Sequence, residues 1–175
     1  MEYKITLRKQ FRALRFLIVG SILFSIAIYT FFSKVGYDPD IALFFFIYYL
    51  AELVPTLFVH IEYYLINKND LFTLNSIQRT FSFDDRDAIS FDQIEIIVLV
   101  LSPVMYRDSN LRFFPFDSYH YAVIIMKDGK RFVITNLMTF RIDLALKDVS
   151  GVQIERRRRF IASPSLYRFW YAVWN

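Results

Sequence analysis

Residues 16–33 (FLIVGSILFSIAIYTFFS) run for 18 positions without a charge. As an α-helix that stretch is about 27 Å long, close to the ~30 Å hydrocarbon core of a bilayer. A second apolar stretch over residues 41–65 is interrupted only by Glu52, His60 and Glu62. It would extend about 37 Å, enough to span with tilt. A globular core does not need an uncharged run of this length, so the two stretches read as a membrane helical hairpin. A cleaved signal peptide fits less well: no small-x-small site follows Ser33, and the second span comes directly after the first.

The flanks give an orientation. Lys4, Arg8, Lys9, Arg12 and Arg15 precede the first span, in a basic segment at residues 1–15. The connection at 34–40 carries one Lys and two Asp. By the positive-inside rule both termini are expected in the cytoplasm, the 34–40 turn outside, and the chain in the inner membrane as a multi-pass protein. The two spans also explain a hydrophobic content of 55%, above the 45–50% or so of a soluble domain.

Glu52 stands near the middle of the second span, where a charge costs at least about 2.5 kcal/mol on insertion scales. Thr56 and His60 follow at helical spacing, and Ser21, Ser25 and Tyr29 form a similar stripe on the first helix. The expectation is two polar stripes facing each other, with Glu52 protonated and donating to Ser25 or Ser21. Structural pairing, within one chain or in a homo-oligomer, competes with a sensing role for this carboxyl. Pro55 is expected to kink the second helix.

After residue 66 the hydrophobic period shortens. Phe81 and Phe83 alternate with polar residues, Ile96–Leu101 is a continuous apolar run, and residues 102–118 read as a loop broken by Pro103, Asn110 and Pro115. Residues 119–126 and 131–135 read as two strands joined around Asp128-Gly129, a dipeptide that supplies the positive φ of a tight hairpin. Ile142, Ala145, Leu146 and Val149 then share one face of a helix expected over 139–150, with Thr139 as N-cap and Gly151 just past its end. Residues 152–160 suggest one more strand. Strands in antiparallel order followed by an amphipathic helix point to an α+β domain, a bent sheet or small barrel closed by that helix.

The segments Ile66–Leu71, Ile89-Ser-Phe-Asp-Gln-Ile-Glu-Ile-Ile97 and Lys127-Asp-Gly-Lys-Arg-Phe-Val-Ile134 resemble the bacterial pleckstrin-homology-like (PH-like) domains that follow a pair of membrane helices. The resemblance covers roughly residues 61–160 and places a cytoplasmic PH-like domain at 66–160. The loop at 103–118 and the tail at 161–175 depart from the simplest form of that pattern. The resemblance implies a non-enzymatic binding or scaffolding module. Near the first hairpin, Lys68 and Arg79 stand against Asp70, Asp84, Asp85 and Asp87, so phosphoinositide binding is not supported there.

Arg156, Arg157, Arg158 and Arg159 account for the whole formal charge of +4, since the chain has 21 Lys/Arg against 17 Asp/Glu. They read either as a lipid-facing basic cluster, worth about 1 kcal/mol per residue at an anionic leaflet, or as a charged strand edge that blocks edge-to-edge pairing. Nucleic acid is not expected, because no groove or flanking basic residues accompany the run. Tyr167, Phe169, Trp170, Tyr171 and Trp174 suit a membrane interface, or a tail packed across the domain.

Four glycines leave no phosphate-cradling loop, and with no cysteine there is no thiolate chemistry. His60 and His120 are too far apart in sequence to suggest a metal cluster, so no catalytic residue, metal or cofactor is expected. The partners expected are the lipid bilayer and either a protein or anionic lipid headgroups. Two readings follow: a membrane-tethered cytoplasmic binding module, or a small membrane sensor or accessory subunit whose helix pair, with Glu52, recognises another membrane protein.

Overall fold

The computed structural model describes residues 1–84, 87–109, 113–147, 149 and 151–166. Two helices of 29 residues dominate it: α1 (Leu7–Val35) and α2 (Pro39–Asn67). Each has an N-cap suited to its place. The Thr6 side chain accepts from the Lys9 N–H, and Asp38 accepts from the N–H groups of Asp40 and Ile41 ahead of the first turn of α2. Pro39 begins α2, where its missing N–H costs nothing. Both helices are long and apolar enough to cross a membrane. Helix α1 begins nine residues before the uncharged run, so its first turns are basic.

The β strands form two four-stranded sheets. The first contains β1 (Glu2–Tyr3), β2 (Phe72–Asn75), β3 (Thr80–Phe83) and β4 (Ile89–Ser90), all antiparallel in that order. The second contains β5 (Ile94–Leu101), β6 (Tyr121–Met126), β7 (Arg131–Thr135) and β8 (Ile154–Arg158), in the order β7-β6-β5-β8. Within it β8 pairs with β5 in parallel, so the sheet is mixed rather than wholly antiparallel. Among the described residues the sheets do not close into a barrel. A single 3-10 turn over Phe91–Gln93 carries the chain from β4 to β5 and so from one sheet to the other.

The β6–β7 hairpin turns at Asp128-Gly129, where Gly129 has φ +83°. In the segment expected to be loop, two prolines start short helical turns: α3 (Pro103–Tyr106) and a 3-10 turn at Pro115–Ser118. The closing helix, α4 (Ile142–Lys147), is shorter than the 139–150 expected from its apolar spacing. Thr139 therefore lies outside it and is not its N-cap. Asp148 and Ser150 lie outside the described residues.

The second sheet is buried on both faces, which is why β5 reads as a continuous apolar run instead of an alternation. On one face Ile97, Leu99, Leu101, Ala122 and Ile124 pack with Phe72, Leu74, Phe81 and Phe83 of the first sheet and with Ile142 and Leu146 of α4. On the other face Val98, Val100, Tyr121 and Val123 pack with Ala13 of α1 and Val59 and Tyr63 of α2. The helix pair thus roofs the sheet with its lower end. Above that contact Val19, Ile22, Leu23, Ile26, Phe44 and Ile47 remain exposed.

Residues 2–3, ahead of both helices, are part of the domain. Glu2 pairs with Thr73 and Tyr3 with Phe72, and the Met1 amino group donates to the Leu74 carbonyl at 2.6 Å. The first strand and the second are therefore separated in sequence by the whole helical hairpin.

Candidate binding site at the foot of the helix pair

Three polar contacts lock α2 onto the domain. Asn67, fully buried at the last turn of α2, reaches the outer edge of β7. Its Nδ2 donates to the Val133 carbonyl at 2.9 Å and its Oδ1 accepts from the Thr135 N–H at 3.1 Å. One side-chain amide thereby satisfies an edge strand as a neighbouring strand would. One turn back, the Tyr63 hydroxyl donates to the Ala162 carbonyl, and the ring meets Tyr119 and Tyr121 edge-on at 5.4 and 6.1 Å. A further turn back, His60 Nδ1 and the Tyr119 hydroxyl share a 2.8 Å hydrogen bond. Burial pushes the Tyr119 phenol well above its ordinary value of 10.0, so it stays protonated and able to donate.

Glu62, on the neighbouring face of α2, accepts from Ser163 Oγ at 2.6 Å and from the Ser165 N–H. The chain entering the C-terminal tail is therefore fastened to α2. Tyr167, Phe169, Trp170, Tyr171 and Trp174 themselves lie outside the described residues.

The polar residues expected to form one stripe have different partners. Thr56 is buried and donates to the Glu52 carbonyl of its own helix at 2.7 Å. Ser21 bonds across to the Tyr49 hydroxyl at 2.9 Å, whereas Ser25 donates back to the Ser21 carbonyl at 2.8 Å. The Glu52 carboxyl lies near the Tyr48 hydroxyl, one turn earlier on α2. His60 belongs to the domain junction. Spacing along a helix shows which residues share a face, and here that face does not give its residues a common partner.

On the opposite side of β5 a cleft of about 860 Å³ opens between α4, β8 and the foot of α1. Leu99, Leu101, Leu146 and Ile154 provide apolar walls, while Arg15, Arg141, Lys147 and Arg156 bring four cations to it. Two of the four are paired. Arg156 donates to the Asp108 carboxylate at 2.7 and 3.3 Å and lies 5.7 Å over the Tyr106 ring. That hydrogen bond and charge hold the Asp108 carboxyl below its ordinary value. Arg141 donates to Asp143 at 3.2 and 3.3 Å. Burial pushes Asp143 up, but the Arg141 bond and charge outweigh it and the carboxyl sits below the ordinary range.

The other two cations, Arg15 and Lys147, have no carboxylate within ion-pair distance among the described residues. Arg15 is 4.6 Å over the Phe16 ring and 5.9 Å from that of Phe140, which Arg12 covers from 4.2 Å. Stacking occupies the face of a guanidinium and leaves its N–H edge available. On the floor of the cleft, Ser118 and His120 are buried, and both His120 Nδ1 and Asn136 Nδ2 reach the Ser118 carbonyl, at 3.2 and 3.0 Å.

The arginine run is thus divided by the pleat of β8. Arg156 faces the cleft with Ile154. Arg157 is on the other face and donates to Glu155 at 2.6 and 3.0 Å. Arg158 shares the register of Leu101, and Arg159 follows the end of the strand. Because β8 is the outer strand of its sheet, the charges stand on an edge. Sequence reading singled out this run and the residues of α2. It missed Arg15 and Lys147 as a pair, because only the fold brings the start of α1 beside the end of α4.

Neither a curated protein nor a solved structure matches the chain. A family model described as a PH domain does, over residues 2–147. The match starts at β1, ahead of both helices, and ends with α4, so the strand pairing across the helical hairpin lies within it. The chain belongs to the PH domain family.

Proposed function

We propose that this chain is a non-enzymatic, membrane-anchored binding module. In this reading α1 and α2 cross the inner membrane with both termini on the cytoplasmic side, and the PH domain is held against the inner leaflet to engage an anionic headgroup or a protein segment. One observation carries the reading. The lower ends of both helices are packed into the domain, while the 18-residue apolar window of each is only 6% buried. Exposed apolar surface on that scale is costly in water and costs nothing in lipid. Rigid fastening at Asn67, Tyr63 and His60 leaves the domain no long linker on which to swing away from the bilayer.

The chain lacks cysteine, so single reporters can be introduced. Tyr37→Cys in the helix connection and Lys127→Cys in the β6–β7 turn avoid the positive-φ glycines on either side. An impermeant maleimide should label position 37 in intact cells and position 127 only after permeabilisation. The reverse pattern overturns the orientation, and extraction of the chain by alkaline carbonate overturns insertion.

A further inference from the structure

The loop that leads into β6 carries aromatic rings outward beside the helix pair. Asp117, only 2% exposed, accepts from the N–H groups of Phe113 and Phe114 at 3.1 and 3.0 Å. Its carbonyl accepts from Ser102 Oγ at 2.8 Å. Backbone bonds thus hold the loop in place without help from its rings. Phe114 stacks on Phe116 at 5.0 Å, and Phe160, just past β8, meets the two at 6.3 and 5.7 Å. Phe116 is buried, but Phe113 is 71% and Phe160 62% exposed. The Pro115–Ser118 turn touches both α1 and α2, and Phe116 belongs to the core that contains Ala13 and Val59. Ala13 stands three residues before Phe16, where the uncharged run begins, a helix rise of about 4.5 Å. The ring cluster is therefore rooted within about one helical turn of the level at which α1 becomes wholly apolar.

We propose that Phe113 and Phe160, braced by Phe114, enter the boundary between headgroups and acyl chains of the inner leaflet as an aromatic collar beside the two spans. Continuity identifies the occupant. The patch adjoins the region where the helix pair leaves the domain, so the bilayer that covers the exposed Val19 and Ile22 is the apolar surface next to it. Grouped exposed rings mark an interaction surface, and phenyl rings suit the boundary layer of a leaflet. Entering it unpairs no polar group, because Asp117 already holds the loop N–H groups. A phenyl ring carries no charge, so the contact takes zwitterionic and anionic leaflets alike and needs no headgroup pocket. Phe160 lies beyond the residues 2–147 matched by the PH domain model, so one of the two exposed rings is no part of what defines the family. The proposal rests on the membrane-anchored reading above and deepens it: a contact besides the two helices fixes the tilt of the domain as well as its distance from the leaflet.

The test uses the full chain in bilayers of phosphatidylcholine alone, with a nitroxide on single introduced cysteines. Collision rates are measured with oxygen, which concentrates in hydrocarbon, and with a nickel chelate, which stays in water. Ile26→Cys, on exposed surface of upper α1, supplies the lipid reference, and Ile77→Cys, 96% exposed between β2 and β3, the water reference. Labels at Phe113→Cys and Phe160→Cys should both read between the two references, with oxygen gaining on nickel relative to position 77. Adding phosphatidylglycerol or raising the salt concentration should not move them. Water-like readings at 113 and 160 beside a lipid-like reading at 26 overturn the collar and leave the anchoring intact. A water-like reading at 26 refutes the anchoring itself. Low collision with both reagents means that protein covers the patch, either residues 167–175 or a second copy of the chain, and overturns the collar too. So does a reading that enters the bilayer only with phosphatidylglycerol present, since headgroup charge would then be the cause. Phe113→Cys keeps both backbone bonds to Asp117 and therefore reports on the folded loop even where Phe160→Cys loosens the ring stack.

Discussion

The two halves of the helix pair have similar residues and opposite surroundings. In the lower half Ala13, Val59 and Tyr63 are buried against the second sheet, and Thr56, His60 and Asn67 are buried with hydrogen bonds made. In the upper half Val19, Leu23, Ile26 and Phe46 are exposed, and the helices touch each other mainly through rings, with Phe24 stacked on Tyr49 at 5.5 Å and edge-on to Phe45 at 6.1 Å. The difference shows that apolar composition alone does not define a span. The lower turns use apolar side chains to build a protein core, whereas the upper turns present them to the surroundings.

Substitution should separate the halves sharply. Tyr63→Ala removes a fully buried ring together with its bond to Ala162, and should destabilise the domain by about 3–5 kcal/mol. Leu23→Ala, in the upper half, should leave the thermal midpoint of the domain unchanged. Equal effects in a thermal melt of the two variants in detergent would erase the distinction. Asn67→Leu is the intermediate case. It keeps the volume but leaves the Val133 carbonyl and the Thr135 N–H without their partner, at a cost of about 2–3 kcal/mol. Amide exchange should accelerate first at Thr135, and an unchanged rate there would mean that the edge of β7 does not depend on α2.

Glu52→Gln should have a small effect. The carboxyl lies near Tyr48 on its own helix, and an amide of the same shape can occupy the same place. A change within about 0.5 kcal/mol and an unaltered oligomeric state by light scattering are expected. A larger shift, or loss of an oligomer, would mean that Glu52 joins α2 to a second chain.

Several elements could be read locally. The helices follow from uncharged length, the β6–β7 hairpin from Asp-Gly, and β3 from the alternation of Phe81 and Phe83, because each signal sits within a few residues of its consequence. The continuous run at Ile96–Leu101 was also visible, and two-sided burial is its physical cause. The pairing of β1 with β2 had no such signal. Two residues of strand carry no periodicity, and their partners lie beyond the whole helical hairpin. The parallel addition of β8 was equally hidden, since an arginine-rich stretch reads as an edge without saying which edge.

The site divides along the same line. Arg156 to Arg159 stood out because charge density is a property of adjacent residues. Arg15 and Lys147 did not, because neither is unusual among its neighbours, and their relation arises only when α1 and α4 flank one cleft. His60 shows the limit of helical spacing: it is in phase with Glu52 and Thr56, yet its hydrogen bond goes to Tyr119. Chain-local chemistry decided where the helices run, where the hairpin turns and where charge accumulates, since hydrophobicity, positive φ and charge act over a few residues. Packing across the fold decided the two-sided sheet, the mixed strand order, the joint at Asn67 and the charged cleft, since those depend on which distant surfaces bury one another.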